Sequence, residues 1–153
     1  MLTLDELLAT LAERPARPRV VLTNGCFDLL HVGHVRSLEF AAACGDVLVV
    51  GVNDDASVHS IKTPDRPLIP AEERSEMIGA LHCVDYVVVF GERTAEGLVR
   101  AIQPDVYVKG GDYSVDSLPE AGVVKSYGGE IVLSPLIPGR STTSILDRIR
   151  GTS

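Results

Sequence analysis

The sequence predicts an α/β fold built on a doubly wound parallel sheet, because short apolar runs alternate with helical segments along the chain. The apolar runs are rich in valine and isoleucine, as expected for strands buried on both faces. The chain contains no internal repeat and no low-complexity linker. Its 153 residues, 45% of them hydrophobic, suit one domain with a sizeable core. We therefore expect a single domain over residues 1–153, with an N-terminal helix and lead-in at 1–17 and a core at 19–150.

Hydrophobic periodicity and capping residues predict the individual elements. Thr3 and Glu6 form the capping box of a first helix, whose leucines make an apolar stripe. The predicted strands are Arg19–Thr23, Val47–Val50, Tyr86–Phe90, Val106–Val108 and Ile131–Leu133. The predicted helices are Val32–Ala43, a short one after Asp55, Ala71–Leu81, Thr94–Ile102 with Thr94 as its cap, Leu118–Tyr127, and a last helix that begins near Ser141 and buries Ile145, Leu146 and Ile149.

Composition argues against several kinds of partner. A net charge of −7 argues against nucleic acid, because binding to its backbone normally requires a basic face. No apolar run is long enough to span a membrane, and the N-terminus lacks the basic-then-apolar order of a secretory signal. We therefore expect a cytoplasmic protein without a membrane partner. Three cysteines, an odd number with no CxxC pair, indicate reduced and mostly buried thiols.

The segment TNGCFDLLHVGH at residues 23–34 joins the first strand to the helix that follows it. His31 and His34 are three residues apart and so lie on one face at the start of that helix. A helix N-terminus carries backbone N–H donors and the positive end of the helix dipole, which suits a phosphate, and Gly33 leaves room for a close approach. The chain has no GxxxxGK[ST] loop and no GxGxxG after a strand. The segment is therefore a candidate phosphate site of another type.

Other interpretations of these residues stay open at this point. An HxxH pair on a helix is also a zinc-ligand pattern, although the Glu of HExxH is missing and no third ligand is near in sequence. The two histidines are also compatible with an ordinary helix start bonded to backbone. A Phe after a strand, such as Phe27, is more often a core residue, and Asp28 is compatible with a brace for the turn.

Cations are scarce in this acidic chain, so a phosphate site has to concentrate them. Lys62 and Arg66 lie in a polar, proline-rich loop, where solvated charges are the alternative explanation. Lys109 follows the fourth strand within the run KGGDY at 109–113, and its paired glycines free the backbone beside it. Arg74, in the helix Ala71–Leu81, is interpreted as a solvent-facing partner of neighbouring glutamates. Ser141, Thr142 and Thr143 supply hydroxyls at a second helix start, where caps are the alternative.

The residues from Gly25 to His34 resemble the GxFDxxHxGH signature of the cytidylyltransferase-like nucleotidyltransferases. The resemblance extends from about Val20 to Ile149. It implies a Rossmann-like sheet of five parallel strands in the order 3-2-1-4-5 with helices on both faces. It also implies transfer of a nucleotide from a nucleoside triphosphate to a phosphate monoester, with release of pyrophosphate. By the same resemblance, His31 and His34 contact the triphosphate, and Lys62 binds the phosphate of the acceptor.

Within this family the chain is similar to the heptose 1-phosphate adenylyltransferase half of bifunctional ADP-heptose synthases. The similarity lies in the segments TNGCFD at 23–28, VKGGDY at 108–113 and STT at 141–143. Where glycerol-3-phosphate cytidylyltransferases carry RTEGIS, this chain has LIPGRS at 136–141, which lacks the upstream arginine and weighs against CTP. The kinase half of the synthases is absent, so the resemblance implies a monofunctional enzyme served by a separate heptose kinase.

The predicted function is transfer of AMP from ATP to a heptose 1-phosphate, with Mg²⁺ on the triphosphate and no metal held by protein side chains. The alternatives are a cytidylyltransferase that acts on glycerol 3-phosphate or another phosphate monoester, and a catalytically silent nucleotide-binding regulator. A homodimer is expected from the family. The predicted catalytic residues are His31, His34 and Lys62. The predicted nucleotide-binding residues are Thr23, Asn24, Gly25, Phe27, Gly33, Lys109, Gly111, Asp112, Arg140, Ser141, Thr142 and Thr143. The predicted acceptor-binding residues are Asn53, Lys62, Arg66 and Asp28.

Overall fold

A computed structural model describes residues 1–139 and 141–151. Five strands form one sheet: β1 (Val20–Gly25), β2 (Val47–Asn53), β3 (Tyr86–Phe90), β4 (Val106–Gly110) and β5 (Glu130–Ser134). Their order is β3-β2-β1-β4-β5, and every neighbouring pair is parallel. The predicted fold class and strand order are therefore confirmed. The order reverses between β1 and β4, which is where open α/β sheets place their ligands.

Helices surround this sheet on both faces. They are α1 (Leu4–Ala12), α2 (Val32–Ala42), α3 (Asp55–Ile61), α4 (Ala71–Gly79), α5 (Glu96–Ile102), α6 (Ala121–Ser126) and α7 (Thr142–Arg150), with one turn of 3₁₀ helix at Val115–Ser117. The predicted capping box of α1 is present, since the hydroxyl of Thr3 accepts from the backbone N–H of Glu6 at 3.2 Å and the carboxylate of Glu6 accepts from the backbone N–H of Thr3 at 2.8 Å.

The core divides into two clusters because successive residues of a strand point to opposite faces of the sheet. Val20 and Leu22 of β1 belong to one cluster and Val21 to the other. The first cluster also contains residues of α1, α5 and α6. The second contains Leu38 of α2 and Ile78 of α4. Helices α2 and α4 therefore pack on the face opposite to α5 and α6.

Four strands run further than their apolar residues predict. Strand β1 continues through Asn24 to Gly25, β2 continues to Asn53, β4 continues through Lys109 to Gly110, and β5 starts at Glu130. The ladder is made by backbone groups, so it includes polar residues that hydrophobic patterning leaves out. The placement of Asn53 and Lys109 in loops is thus wrong, because both side chains project from strand ends.

Several helix predictions are also wrong in detail. The helix predicted over Leu118–Tyr127 is a 3₁₀ turn at 115–117 followed by the shorter α6. Thr94 is not the cap of α5, because Ala95 is at that position and the hydroxyl of Thr94 donates to the carboxylate of Glu96. Ile149 of α7 is 74% exposed instead of buried, because it lies on the outer side of a terminal helix. The three cysteines are half-buried and unpaired, where mostly buried thiols were expected.

None of the helices in the described part of the chain combines the length and the apolarity needed to cross a membrane.

The connection from α2 to β2 depends on the absence of a side chain at Gly45. A Cβ atom there would lie 2.6 Å from the carbonyl oxygen of Arg19 and 2.6 Å from Cγ2 of Val21. We expect Gly45→Ala to lower the free energy of unfolding by about 1–3 kcal/mol, because the backbone of Arg19 cannot move aside cheaply. Urea unfolding monitored by circular dichroism measures the change.

Gly122→Ala is the matched control, because a Cβ on Gly122 in α6 would meet no atom within 4 Å. This variant should be as stable as the wild type or more stable by up to about 1 kcal/mol, since alanine favours the helix. Equal losses in both variants would contradict the packing explanation.

Candidate active site

A cavity of about 940 Å³ lies at the carboxyl ends of the strands. Most of the residues predicted to bind substrate line this cavity. They are Asn24, Gly25, Phe27, Asp28, His34, Asn53, Lys62, Arg66, Lys109, Thr142 and Thr143. The predicted residues that do not line it are Thr23, His31, Gly33, Gly111, Asp112 and Ser141. Arg140 lies outside the described residues. Two of the three lysines of this acidic chain therefore share one cavity.

His31 and His34 form a stacked pair at the start of α2. Their ring centroids are 3.9 Å apart, with an angle of 27° between the ring planes. Nδ1 of His31 accepts from the backbone N–H of Gly33 at 3.1 Å, and Nδ1 of His34 accepts from the backbone N–H of His31 at 3.3 Å. A neutral imidazole that accepts at Nδ1 carries its proton on Nε2. The donors that this helix start offers to a phosphate are thus imidazole N–H groups, whereas the N–H of Gly33 is already in use.

Burial and the neighbouring ring together keep His34 uncharged. Burial is the larger cause and the charge of His31 the smaller, and they lower the pKa of His34 from 6.5 to about 4. At neutral pH His34 is therefore a neutral hydrogen-bond donor.

A left-handed backbone at Phe27 shapes the turn between β1 and α2. Phe27 has φ = 50°, a conformation that costs a non-glycine residue about 1–2 kcal/mol. Its ring is 8% exposed and meets His34 edge-on, with ring centroids 5.5 Å apart. The same ring closes against Gly25, where a Cβ would lie 3.2 Å from it. Phe27 is thus a core residue that packs against the ring of His34, as expected for a phenylalanine that follows a strand.

The start of α7 reaches the same cavity because Thr142 joins it to the motif. The hydroxyl of Thr142 donates to the carbonyl oxygen of Leu29 at 3.3 Å. Ser141 caps the helix, accepting from the backbone N–H of Ser144 at 3.0 Å. Thr142 and Thr143 line the same cavity as His34, whereas the hydroxyl of Ser141 is used as a cap.

Asn24 and Lys109 meet between β1 and β4. Oδ1 of Asn24 accepts from the hydroxyl of Tyr107 at 2.6 Å and from Nζ of Lys109 at 3.1 Å. Burial lowers the pKa of Lys109, and the nearby carboxylate of Glu120 opposes this shift. The ammonium group of Lys109 is therefore held at the point where strand order reverses.

Asp28 fastens the loop after α3 to the motif. Its Oδ1 accepts from the backbone N–H groups of Leu68 at 2.8 Å and Ile69 at 3.0 Å. Its Oδ2 lies 2.6 Å from Nε of Arg66, and these two side chains are 2% and 10% exposed. The geometry matches the brace interpretation of Asp28. The roles of Asp28 and Arg66 in acceptor binding stay predictions.

Lys62 and Asn53 line the cavity from β2 and α3. Lys62 is the exposed residue at the C-terminal cap of α3. Asn53 is 4% exposed, and its amide nitrogen lies 2.9 Å from the hydroxyl of Ser57 and 3.3 Å from the carbonyl oxygen of Glu92. Asn53 therefore joins β2 to the loop that precedes α5, which leaves only its side-chain oxygen for a ligand.

The remaining predicted residues lie around the cavity. Thr23 is 7% exposed within β1. Position 111 requires a glycine because the backbone of Ser134 is so near, and a Cβ atom there would lie 2.7 Å from the carbonyl oxygen of Ser134. Asp112 is exposed and lies close to Gly110. A Cβ atom added to Gly110 would lie 2.8 Å from the carboxylate of Asp112.

The zinc interpretation of the histidine pair finds no support in the geometry. Among residues 1–139 and 141–151, no group of three or more His, Cys, Asp and Glu side chains is placed to hold a metal ion. Both Nδ1 atoms accept from backbone N–H groups instead.

A family model described as cytidylyltransferase-like matches residues 22–137, which include most of β1, the histidine pair and strands β2 to β5. The chain belongs to the cytidylyltransferase-like family. The family predicted from the motif at 25–34 is confirmed.

Curated proteins called "Bifunctional protein HldE" are similar to this cytidylyltransferase-like chain. The protein from Syntrophotalea carbinolica is 52% identical over 137 residues, which cover 90% of the chain and 28% of that protein. The protein from Pseudomonas syringae pv. syringae is 48% identical over 152 residues, which cover 99% of the chain and 32% of that protein. The chain thus spans about a third or less of the length of these relatives.

Solved structures of cytidylyltransferase-like and related proteins share the fold. A lipopolysaccharide core biosynthesis protein from Thermoplasma volcanium is 25% identical, with a TM-score of 0.64 over 78% of this chain and 97% of that one. Pantothenate synthetase from Thermus thermophilus, at 17% identity, has a TM-score of 0.66 over 90% of this chain and 62% of that one. The second likeness is one of fold alone.

Arg74 is the main site-shaping residue that sequence reasoning missed. Instead of facing solvent from α4, it is fully buried. Its guanidinium donates to the carbonyl oxygens of Cys26 at 2.5 Å, Asn53 at 2.9 Å and Ile69 at 2.8 Å, and to the carboxylate of Asp55 at 2.7 Å. One cation therefore holds the turn after β1, the end of β2 and the loop behind Asp28. An arginine among glutamates looks solvent-exposed, and nothing in the local pattern signals these distant acceptors.

We expect Arg74→Met to lower the free energy of unfolding by about 3–5 kcal/mol, because it removes all the side-chain donors from these carbonyls and leaves Asp55 without its buried partner. Arg74→Lys should be intermediate, since one ammonium cannot reach four acceptors in a fork geometry. Urea unfolding measures both. Arg100→Met, at an exposed position of α5, is the control and should change stability by less than about 0.5 kcal/mol. Similar stabilities for Arg74→Met and Arg100→Met would refute the assignment.

The lowered pKa of His34 makes stability depend on pH in a defined window. The unfolded chain binds a proton at this group near pH 6.5, whereas the folded chain does so only near pH 4. The contribution of His34 is therefore complete above pH 6.5 and is lost as pH falls towards 4, by an amount on the order of 3 kcal/mol. Urea unfolding from pH 7.5 to pH 4.5 should show a shallower decline for His34→Gln than for the wild type. His59→Gln, at an exposed histidine, should follow the wild type, and the same decline in all three proteins would argue against a buried neutral His34.

Proposed function

We propose that this domain transfers AMP from MgATP to the phosphate of a heptose 1-phosphate, giving ADP-heptose and pyrophosphate. The observation that carries the proposal is the convergence of His34, the hydroxyls at the start of α7 and two lysines on one cavity at the switch point of the sheet.

The triphosphate is proposed to lie where α2 and α7 begin. His31 and His34 offer imidazole N–H donors there, and Thr143 offers a hydroxyl, joined by that of Thr142 when it leaves the carbonyl oxygen of Leu29. Arg140, Ser141, Gly33 and Gly111 are proposed as further nucleotide contacts. Neutral donors fixed by stacking and by backbone hydrogen bonds stabilise charge that develops on phosphate oxygens without reorganising during the reaction.

The acceptor phosphate is proposed to bind to Lys62 and Lys109, so that Lys109, also predicted as a nucleotide ligand, serves both substrates where their phosphates meet. The charges of both lysines, together with that of Arg74, lower the pKa of the Cys26 thiol against the larger effect of burial, so both lysines act on one region of the cavity. An anion bound by both would be held next to the triphosphate. Lys109 is held by Asn24, whereas Lys62 is exposed at the end of α3.

The mechanism needs little covalent chemistry from the protein. An oxygen of the acceptor phosphate attacks the α-phosphorus of ATP, and the bond from that phosphorus to the pyrophosphate oxygen breaks. A phosphate monoester is already ionised near neutral pH, so no general base is required. Catalysis then rests on positioning and on charge stabilisation by the donors at the triphosphate.

Divalent metal fits this site as part of the substrate and not as a resident ion. The carboxylate of Asp28, the nearest to the motif, is paired with Arg66 and bonded to two backbone N–H groups. Side chains of the described residues thus offer no ready oxygen cage for Mg²⁺, and the ion would be held by the triphosphate.

The assignment of heptose 1-phosphate and ATP as the substrates is based on the similar HldE proteins. The C-terminal domain of the HldE proteins is the heptose 1-phosphate adenylyltransferase, and this chain matches about a third or less of their length at about 50% identity. We propose that residues 1–153 form one such nucleotidyltransferase domain. Its proposed setting is the cytoplasm, as a homodimer supplied with heptose 1-phosphate by a heptose kinase and without nucleic-acid or membrane partners.

A matrix of pyrophosphate release tests the proposal. The matrix sets ATP, CTP, GTP and UTP against heptose 1-phosphate anomers, glycerol 3-phosphate and other phosphate monoesters in the presence of Mg²⁺. We expect a signal for ATP with a heptose 1-phosphate alone. A signal for CTP with glycerol 3-phosphate would replace this function with cytidylyl transfer, and a blank matrix with tight ATP binding by calorimetry would replace it with a binding protein.

His34→Ala is expected to lower kcat on the active pair about a hundredfold or more, because it removes a fixed donor from the triphosphate. His59→Ala is the matched control and should retain wild-type kcat, since His59 is exposed and does not line the cavity. Equal kcat values for the two variants would remove His34 from the proposed mechanism.

A further inference from the structure

Glu120 is a buried acidic residue of the cavity wall that the proposed mechanism does not use. It is 3% exposed, precedes α6 and lines the cavity beside Lys109. Its Oε1 accepts from the backbone N–H of Ala95 at 2.8 Å. Its Oε2 is buried and has no hydrogen-bond partner among the described residues. A buried carboxylate oxygen without a donor is costly, so this acceptor calls for a ligand.

The hydroxyl of the neighbouring residue Tyr107 donates to Asn24. Burial is the largest cause that raises the pKa of Tyr107, and the charge of the Glu120 carboxylate and a hydrogen-bonding contact with that carboxylate raise it further. The single proton of Tyr107 is donated to Oδ1 of Asn24 at 2.6 Å. Nζ of Lys109 is directed to the same oxygen of Asn24 at 3.1 Å. Tyr107 and Lys109 both bond to Asn24, and in this geometry neither forms a hydrogen bond to Oε2 of Glu120, which is left for a donor that arrives with the ligand.

The charge and position of Glu120 determine which chemical group of a ligand can bind to it. A carboxylate repels phosphate groups and accepts from hydroxyl groups. Glu120 is bonded to the first residues of the α5 region, on the face opposite to α2 and its histidine pair. Lys109, one of the proposed ligands of the acceptor phosphate, lines the same cavity, and the charge of Glu120 acts on its pKa. The hydroxyl-bearing group attached to that phosphate is the sugar of the acceptor, so this sugar, and not the triphosphate of ATP, is the group placed to reach Glu120.

We propose that Glu120 determines specificity for the acceptor by accepting a hydrogen bond, at Oε2, from a hydroxyl group of its sugar. The wall of the cavity formed by Glu120, Thr94 and Lys109 is then a polyhydroxyl subsite. This inference rests on the proposed function, because it names what recognises the sugar in that reaction. It assigns selectivity for a sugar over a smaller phosphate monoester to one buried carboxylate.

The substitution Glu120→Gln tests the hydrogen-bond acceptor oxygen Oε2 by itself. The amide oxygen of Gln can keep the bond to the N–H of Ala95, while its NH₂ group replaces the unpaired oxygen by a donor. We expect the KM for the sugar 1-phosphate to rise about tenfold or more, with the KM for ATP unchanged within about twofold. Asp116→Asn removes the same charge from an exposed position four residues earlier and should leave both values unchanged.

Two effects of Glu120→Gln must be distinguished: the loss of a hydrogen bond from a sugar hydroxyl, and a change in the charge of Lys109. Kinetics with a set of sugar 1-phosphates, each lacking one hydroxyl, distinguish them. The wild type should discriminate against one member of the set by about a hundredfold in kcat/KM, and Glu120→Gln should discriminate against that member by less than about fivefold. An effect through Lys109 would weaken all acceptors equally and leave the discrimination intact.

The outcomes distinguish this inference from the function on which it rests. A wild type that turns over sugar 1-phosphates, with unchanged kinetics and discrimination in Glu120→Gln, overturns the role of Glu120 alone. A rise in the KM for ATP instead of the sugar phosphate also overturns it. A wild type that turns over no sugar 1-phosphate overturns both. Thermal unfolding of Glu120→Gln near the wild-type temperature confirms that the variant is folded when these values are measured.

Discussion

The buried guanidinium of Arg74 is the interaction on which the rest of the site depends. A buried backbone carbonyl needs a hydrogen-bond donor, and carbonyls in the turns and loops at the end of a sheet cannot all find one in its ladders. Arg74 supplies donors to the carbonyl oxygens of Cys26, Asn53 and Ile69 from one rigid fork. The turn that carries Phe27 and the histidine pair can therefore hold its left-handed residue, because its neighbours are tied down.

The cavity works against the charge of the whole chain. A net charge of −7 disfavours anionic ligands at long range, yet Lys62 and Lys109 line one cavity and His34 adds a neutral donor. A neutral imidazole is useful here, because it donates to a phosphate without paying the cost of a buried charge when the site is empty. The acidic surface and the cationic cavity together favour ligands that can be enclosed over extended polyanions.

Sequence patterns predicted the framework well and the buried polar contacts poorly. Strand Tyr86–Phe90 and the capping box at Thr3 depend on neighbours in sequence, so local patterns are sufficient for them. Arg74 and Glu120 are charged residues whose burial is decided by partners far away in sequence, such as Cys26 for Arg74 and Ala95 for Glu120. Composition and periodicity assign such residues to the surface. The placements that sequence analysis missed are thus those that only the assembled sheet can determine.

The loop between α3 and α4 is attached to the rest of the protein in two unequal ways. Near Pro67 it is held by the buried pair of Asp28 and Arg66, whose side chains are 2% and 10% exposed. Near Thr63 it is joined to α7 by Asp65 and Arg150 at 3.0 Å, a pair whose side chains are 54% and 58% exposed. An exposed pair of this kind contributes about 1 kcal/mol or less, so it opens readily and more so in salt, whereas the buried pair persists. The loop is therefore firmly fixed at its end near Pro67 and weakly fixed at its end next to α7, so it can separate from α7 while it stays attached to the motif.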